Sequence, residues 1–131
     1  WKNISLTGQM SYSWQHAIDI TDETEKNYRD QIPYTPKHSG NFSAALQMPW
    51  INISYLLTVV GDRYASPQNI ERNLIDRYAE QTVSLNRTFT FGSCSLRLQF
   101  DIINIGNINY DVVKYYPMPG RSFRGGLVFI Y

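Results

Sequence analysis

The chain has 131 residues, enough for one domain with its own core, and a formal net charge of +1, so nothing global marks it as a nucleic-acid binder. Hydrophobic residues make up 43% and aromatic residues 15%, with ten tyrosines, yet no window approaches the roughly 20 apolar residues that a transmembrane helix needs. A single cysteine, Cys94, excludes an internal disulfide.

The chain opens on Trp1 in what reads as a strand, with no charged-then-apolar leader, and is expected to be a mature or excised piece. In "NISLTGQMSYSW", Ile4, Leu6, Met10, Tyr12 and Trp14 share one face, with polar residues on the other. That period of two predicts a strand, and no convincing period of 3.6 occurs anywhere. Residues 15–37 hold five acidic residues, Pro33 and Pro36, and are expected to form a long loop. "SGNFSAALQM" predicts a second strand with Phe42, Ala44, Leu46 and Met48 aligned. Pro49 in "MPW" breaks it, because proline cannot donate a ladder hydrogen bond.

A third strand, "INISYLLTVVGD", aligns Ile51, Ile53, Tyr55, Leu57 and Val59, and an irregular stretch follows from Arg63 to Arg77. The fourth is predicted over about Tyr78 to Phe91, the fifth over "SLRLQFDI" after the turn "GSC". A loop rich in Asn and Tyr then leads to the closing strand, where Phe123, Leu127, Phe129 and Tyr131 share a face. Arg87 is in phase with Val83 and Leu85 on an otherwise apolar face, which either a position near a membrane interface or a β-bulge would reconcile.

The fold class is therefore all-β, an antiparallel meander of about six long strands. Connections alternate long and short, which puts every long loop at one end and every tight turn at the other. Strands of about 9–11 residues, one apolar face each, and this loop asymmetry are the pattern of an outer-membrane β-barrel. A soluble sandwich gives the same alternation with shorter strands.

The last third is more specific. "LRLQFDIINIGNINYDVVKYYPMPGRSFRGGLVFIY" closely resembles the C-terminal end of TonB-dependent outer-membrane receptors, most of all the Bacteroidetes type. The family motif "N-(L/I)-x-(N/D)-x-x-Y" corresponds to Asn104, Asn107 and Tyr110, and "P-x-P-G-R" to Pro117, Pro119, Gly120 and Arg121. "IPYTPKHSGNFSAAL" is similar to a second family segment.

The resemblance implies that the whole of residues 1–131 is the C-terminal portion of a receptor barrel of about 22 strands, without the plug domain. A parent of this kind would use TonB energy to take up a scarce ligand, such as a siderophore, cobalamin or a glycan, across the bacterial outer membrane. Implied partners are outer-membrane lipid, the plug and remaining strands of the parent, TonB through the parent, and the outer-membrane assembly machinery. The isolated piece is expected to self-associate, and no cofactor is implied. Phe123, Leu127, Phe129 and Tyr131 would carry the C-terminal assembly signal, read by strand addition. The C-terminus and the turns near Pro49 and Gly92 would be periplasmic, and the loops at 15–37, 62–77 and 105–120 extracellular. Tyr28, Tyr34, Asp62, Arg63, Tyr64, Tyr115 and Tyr116 are the candidate ligand-facing residues, although each is also an ordinary interface aromatic or loop charge. Arg97, Gln99, Asp101, Arg124 and Glu80 are expected on the lumen face.

Enzyme chemistry is not expected. His38 and Ser39 are adjacent and point to opposite faces of a strand, so they cannot pair as base and nucleophile. Asp19, Asp22, Glu23 and Glu25 lack the spaced glycine and bidentate Glu of a calcium loop. The rivals are a soluble β-barrel or sandwich that encloses a small apolar ligand, burying the Tyr/Phe/Leu face inward, and a surface adhesion protein of β-meander type.

Overall fold

The computed structural model describes residues 3–131, so Trp1 lies outside it. Ten strands follow in chain order: β1 (Ser5–Trp14), β2 (His38–Gln47), β3 (Asn52–Val60), β4 (Arg63–Tyr64), β5 (Leu74–Ile75), β6 (Tyr78–Phe91), β7 (Cys94–Ile103), β8 (Asp111–Val113), β9 (Tyr116–Pro117) and β10 (Ser122–Ile130). Six of them form one sheet in the order β1-β2-β3-β6-β7-β10, every pair antiparallel. This is the six-strand meander that the alternation predicts. The sheet is open, with β1 and β10 as its edges.

Two short ribbons depart from the expected picture. The stretch 63–77 contains the β4–β5 hairpin and a 3-10 turn at Glu71–Asn73, and 105–120 contains the β8–β9 hairpin. Two or three residues per strand are too few to show a period. Cys94 belongs to β7, opposite Phe91, rather than to the turn. The turn is Gly92-Ser93, and Gly92 sits at φ 60°, the requirement of a two-residue hairpin with glycine at its first central position. Gly92→Val is expected to cost about 1–3 kcal/mol from backbone strain, read as a lower urea midpoint. Gly92→Asn, which tolerates positive φ, should cost less.

The register shows how complete the two faces are. One row across the sheet reads Leu6, Leu46, Ile53, Leu85, Phe100, Gly125, and the next reads Gly8, Ala44, Tyr55, Val83, Ile102, Phe123. Between them on the opposite face lies Thr7, Ala45, Ser54, Ser84, Asp101, Arg124. No described residue covers the apolar face: Leu6 is 75% exposed, Met10 77% and Leu127 76%. Among the described residues only Ile75 and Tyr110 are buried hydrophobics, and both lie at the loop end. A sandwich would bury this face, and the described residues form no second layer over it.

Arg87 breaks the apolar row that contains Leu98 and Leu127. No bulge intervenes, because pairing runs without a shift from Thr82↔Ile103 to Phe91↔Cys94. Its guanidinium instead leans toward the turn end, 4.5 Å from the centre of the Phe89 ring.

Candidate functional site

The three long connections rise from the same end of the sheet, and the third is the best ordered by its own side chains. Asn104 ends β7 in the left-handed region at φ 53°, a conformation Asn tolerates better than most residues. Its side chain is 1% exposed. The Nδ2 donates to the carbonyls of Ile108 (2.9 Å) and Pro119 (3.2 Å), and Oδ1 accepts from the Ile108 N–H at 3.0 Å. Asn107, also at positive φ, accepts the Arg121 N–H through Oδ1 at 2.9 Å. A Cβ on Gly120 would stand 2.8 Å from that same oxygen, so glycine leaves room for the approach. Arg121 closes the crossing by donating Nε and Nη2 to the Ile105 carbonyl at 3.0 and 2.6 Å. The structure thus brings Asn104, Asn107, Gly120 and Arg121 into one clasp between β7 and β10.

Tyr110 anchors the same loop to the polar face. Its ring stacks on Tyr78 at 4.3 Å between centroids, and its hydroxyl donates to the Glu80 carboxylate. The Met118 N–H donates to the Tyr110 carbonyl at 2.9 Å, which leads the chain on through Pro119. Burial of the phenol, then its bond to Glu80, push the Tyr110 pKa well above the ordinary tyrosine value of 10.0. A raised value means that the neutral form is the one stabilised by folding. The contribution is complete below about pH 10, where the unfolded phenol begins to ionise, and is lost as pH rises through the folded value. Ultraviolet titration of the folded chain should leave one late phenol, and Tyr110→Phe should remove that late step.

Hydrogen bonds also join the loops to each other. The Tyr34 N–H donates to the Tyr64 carbonyl at 2.8 Å, and the Asn69 N–H to Asp30 Oδ2 at 3.0 Å, linking the first loop to the second. Arg63 links the second to the third, donating Nη2 to the Asp111 and Val112 carbonyls at 2.7 and 2.9 Å. Lys114 Nζ returns the link by donating to the Leu74 carbonyl. Arg63 is therefore a strut, 4% exposed, where a ligand contact open to solvent was expected. Its Nη1 has no hydrogen-bond partner among the described residues, and the Tyr78 ring at 5.5 Å supplies a cation–π contact in place of one.

The other expected ligand-facing residues divide. Asp62 and Tyr64 line one cavity of about 310 Å³, with His16, Arg29, Lys37 and His38 around them. Tyr115 and Tyr116 project from the β8–β9 turn, 73% and 72% exposed. Tyr34 is exposed, and Tyr28 carries the Arg29 guanidinium 5.5 Å from its ring centre. Sequence reasoning gave no role to His16, Arg29 or Lys37. They lie as far as 21 positions apart between 16 and 37, and only the folding back of the loop, bridged at Ile18↔Gln31, gathers them.

The acidic run is bound up in local turns. Asp19 accepts from the Thr21 N–H (2.9 Å) and from Asn27 (2.8 Å), and Asp22 accepts from Thr24 N–H and hydroxyl at 2.9 and 2.7 Å. Hydrogen bonds from Thr21 above all hold the Asp19 carboxyl below its usual range, and those from Thr24 do the same for Asp22.

Glu80, Arg97, Gln99, Asp101 and Arg124 share the polar face, as their phase predicts. Asp101, 1% exposed, accepts from Arg124 Nε at 2.8 Å and from Gln99 Nε2 at 3.0 Å. Asn52 bridges to Asn86 at 3.0 Å on this face. On the other face Phe123, Leu127 and Phe129 of the edge strand are all more than half exposed, with Tyr131 just beyond at 95%.

These features define a class: an open, two-faced antiparallel sheet with one bare apolar surface and a braced cap of loops at one end. No family model matches the chain, and no curated protein matches it.

Proposed function

We propose that this sheet is a wall segment of a transmembrane β-barrel in the bacterial outer membrane, the C-terminal part of a TonB-dependent receptor. The observation that carries the reading is the apolar face, continuous across six strands and left without a covering layer. Lipid is the natural partner for such a surface when the reverse face is polar. Strand length agrees. β1 has 10 residues, which at about 3.3 Å each, tilted by about 45°, rise roughly 23 Å, close to the apolar band of about 25 Å.

Under this reading Asp101, Arg124, Gln99 and Glu80 face a polar lumen and the plug, and β1 and β10 pair with the parent's other strands. The parent imports a scarce ligand such as a siderophore, cobalamin or a glycan. Phe123, Leu127, Phe129 and Tyr131 serve both as lipid contacts and as the assembly signal. Exposed edges do not persist in lipid, so the isolated chain associates with itself.

Size-exclusion chromatography with light scattering, with and without detergent, tests the reading. Dispersed particles only in detergent are expected. A compact monomer in plain buffer would mean that the apolar face is buried, and the soluble ligand-binding module would replace the barrel wall.

A further inference from the structure

The cavity at the loop end has a chemistry that the barrel-wall reading does not use. Its wall carries Arg29, Lys37, His16 and His38, against one carboxylate, Asp62. Asp62 is partly occupied, since its Oδ1 accepts the Arg77 N–H at 2.8 Å. Among the described residues the one ion pair is Arg124–Asp101, so neither Arg29 nor Lys37 is neutralised by a carboxylate. His38 has one nitrogen engaged, Nδ1 against the Tyr12 hydroxyl at 2.8 Å, and its Nε2 remains for another partner. Tyr64 adds a hydroxyl to the same wall, while the Asn69 amide there is taken up by the Gln31 backbone.

We propose that this cavity binds a phosphate group. Two cations, Arg29 beside the Tyr28 ring and Lys37, line a space of about 310 Å³ together with two imidazoles and the Tyr64 hydroxyl, and charge-assisted bonds from such groups to phosphate oxygens are the strong kind. The location favours a lipid headgroup as the source. His38 opens β2 opposite Trp14, in phase with Gly40 and Phe42, so the cavity stands at the loop-end rim of the apolar face. A phospholipid whose chains lay on that face would bring its headgroup to this height. The choice of source, though not the anion site itself, rests on the barrel-wall reading.

The full 131-residue chain in neutral detergent micelles is titrated with phosphatidylglycerol, with phosphatidylcholine and with inorganic phosphate, and binding is followed by native mass spectrometry. Saturable binding of phosphatidylglycerol is expected, weakened roughly tenfold or more by Arg29→Gln combined with Lys37→Gln. Lys26→Gln, on the same loop but outside the cavity, should leave it unchanged. Inorganic phosphate binding with the same variant dependence, but no preference for the lipid, would keep the site and make its ligand soluble. Binding that never saturates, or that falls equally with Lys26→Gln, would overturn the proposal as general charge attraction. Because retained phosphate binding by a chain monomeric in plain buffer would refute the wall but not the cavity, the two readings fail separately.

Discussion

Phe100→Arg is expected to lower the stability of the membrane-inserted sheet by about 2–4 kcal/mol, the cost of an arginine on the lipid face near mid-bilayer. Phe100 sits in the middle of the apolar face, between Leu85 and Gly125 and stacked on Phe123 at 6.1 Å. Loss of that ring adds to the charge penalty. Gln99→Arg, one residue away, points to the polar face beside Asp101 and can exchange its present hydrogen bond for an ion pair. Its effect should stay within about 0.5 kcal/mol. The measurement is urea-dependent unfolding of each variant in lipid vesicles, followed by tryptophan fluorescence. A large loss at 100 with little at 99 requires an apolar medium on one face only. Equal tolerance at both positions would mean that the apolar face meets water, and the barrel-wall reading would fall.

Asn104→Ala should destabilise the chain by about 3–5 kcal/mol, from two separable causes. Three hydrogen bonds disappear, to Ile108 N–H, Ile108 C=O and Pro119 C=O, each worth about 0.5–1.5 kcal/mol and more where a buried donor is stranded. Alanine must also hold φ 53°, at about 1–2 kcal/mol. Asn104→Gly removes the second cost alone and should recover that share. Denaturant midpoints at unchanged slope measure both. Should alanine lower stability by less than about 1 kcal/mol, the Asn104 hydrogen bonds would not be what orders the connection from β7 to β10.

Much of the fold was legible because its signal is local. Leu96, Leu98 and Phe100 alternate with Arg97, Gln99 and Asp101, and a strand has to place such residues on opposite faces. The two tight turns announce themselves through Pro49 and Gly92. Arg87 was legible as an exception but not in its resolution, since nothing local distinguishes a bulge from a side chain that leans along the strand. The β8–β9 ribbon was hidden for another reason: its pairing is irregular between Asp111 and Val113 and too short to carry a period.

The candidate site divides in the same way. Asn104, Asn107, Gly120 and Arg121 stand out in the sequence only through the motif resemblance, and their convergence across 14 to 16 positions emerges only in three dimensions. Arg63 was expected as a ligand-facing loop charge, and its burial depends on carbonyls 48 and 49 positions later. The cavity is equally nonlocal, since Asp62 reaches Lys37 and His38 only because β2 and β3 run antiparallel.

Alone, the sequence determined a six-strand meander, its two unlike faces and the end from which the long loops rise, because a period of two and a turn residue act over neighbouring positions. Tertiary structure alone decided which loops brace one another, which charges are buried as struts and which cations surround an open space. Those outcomes depend on backbone groups and side chains tens of residues apart, which no local pattern encodes.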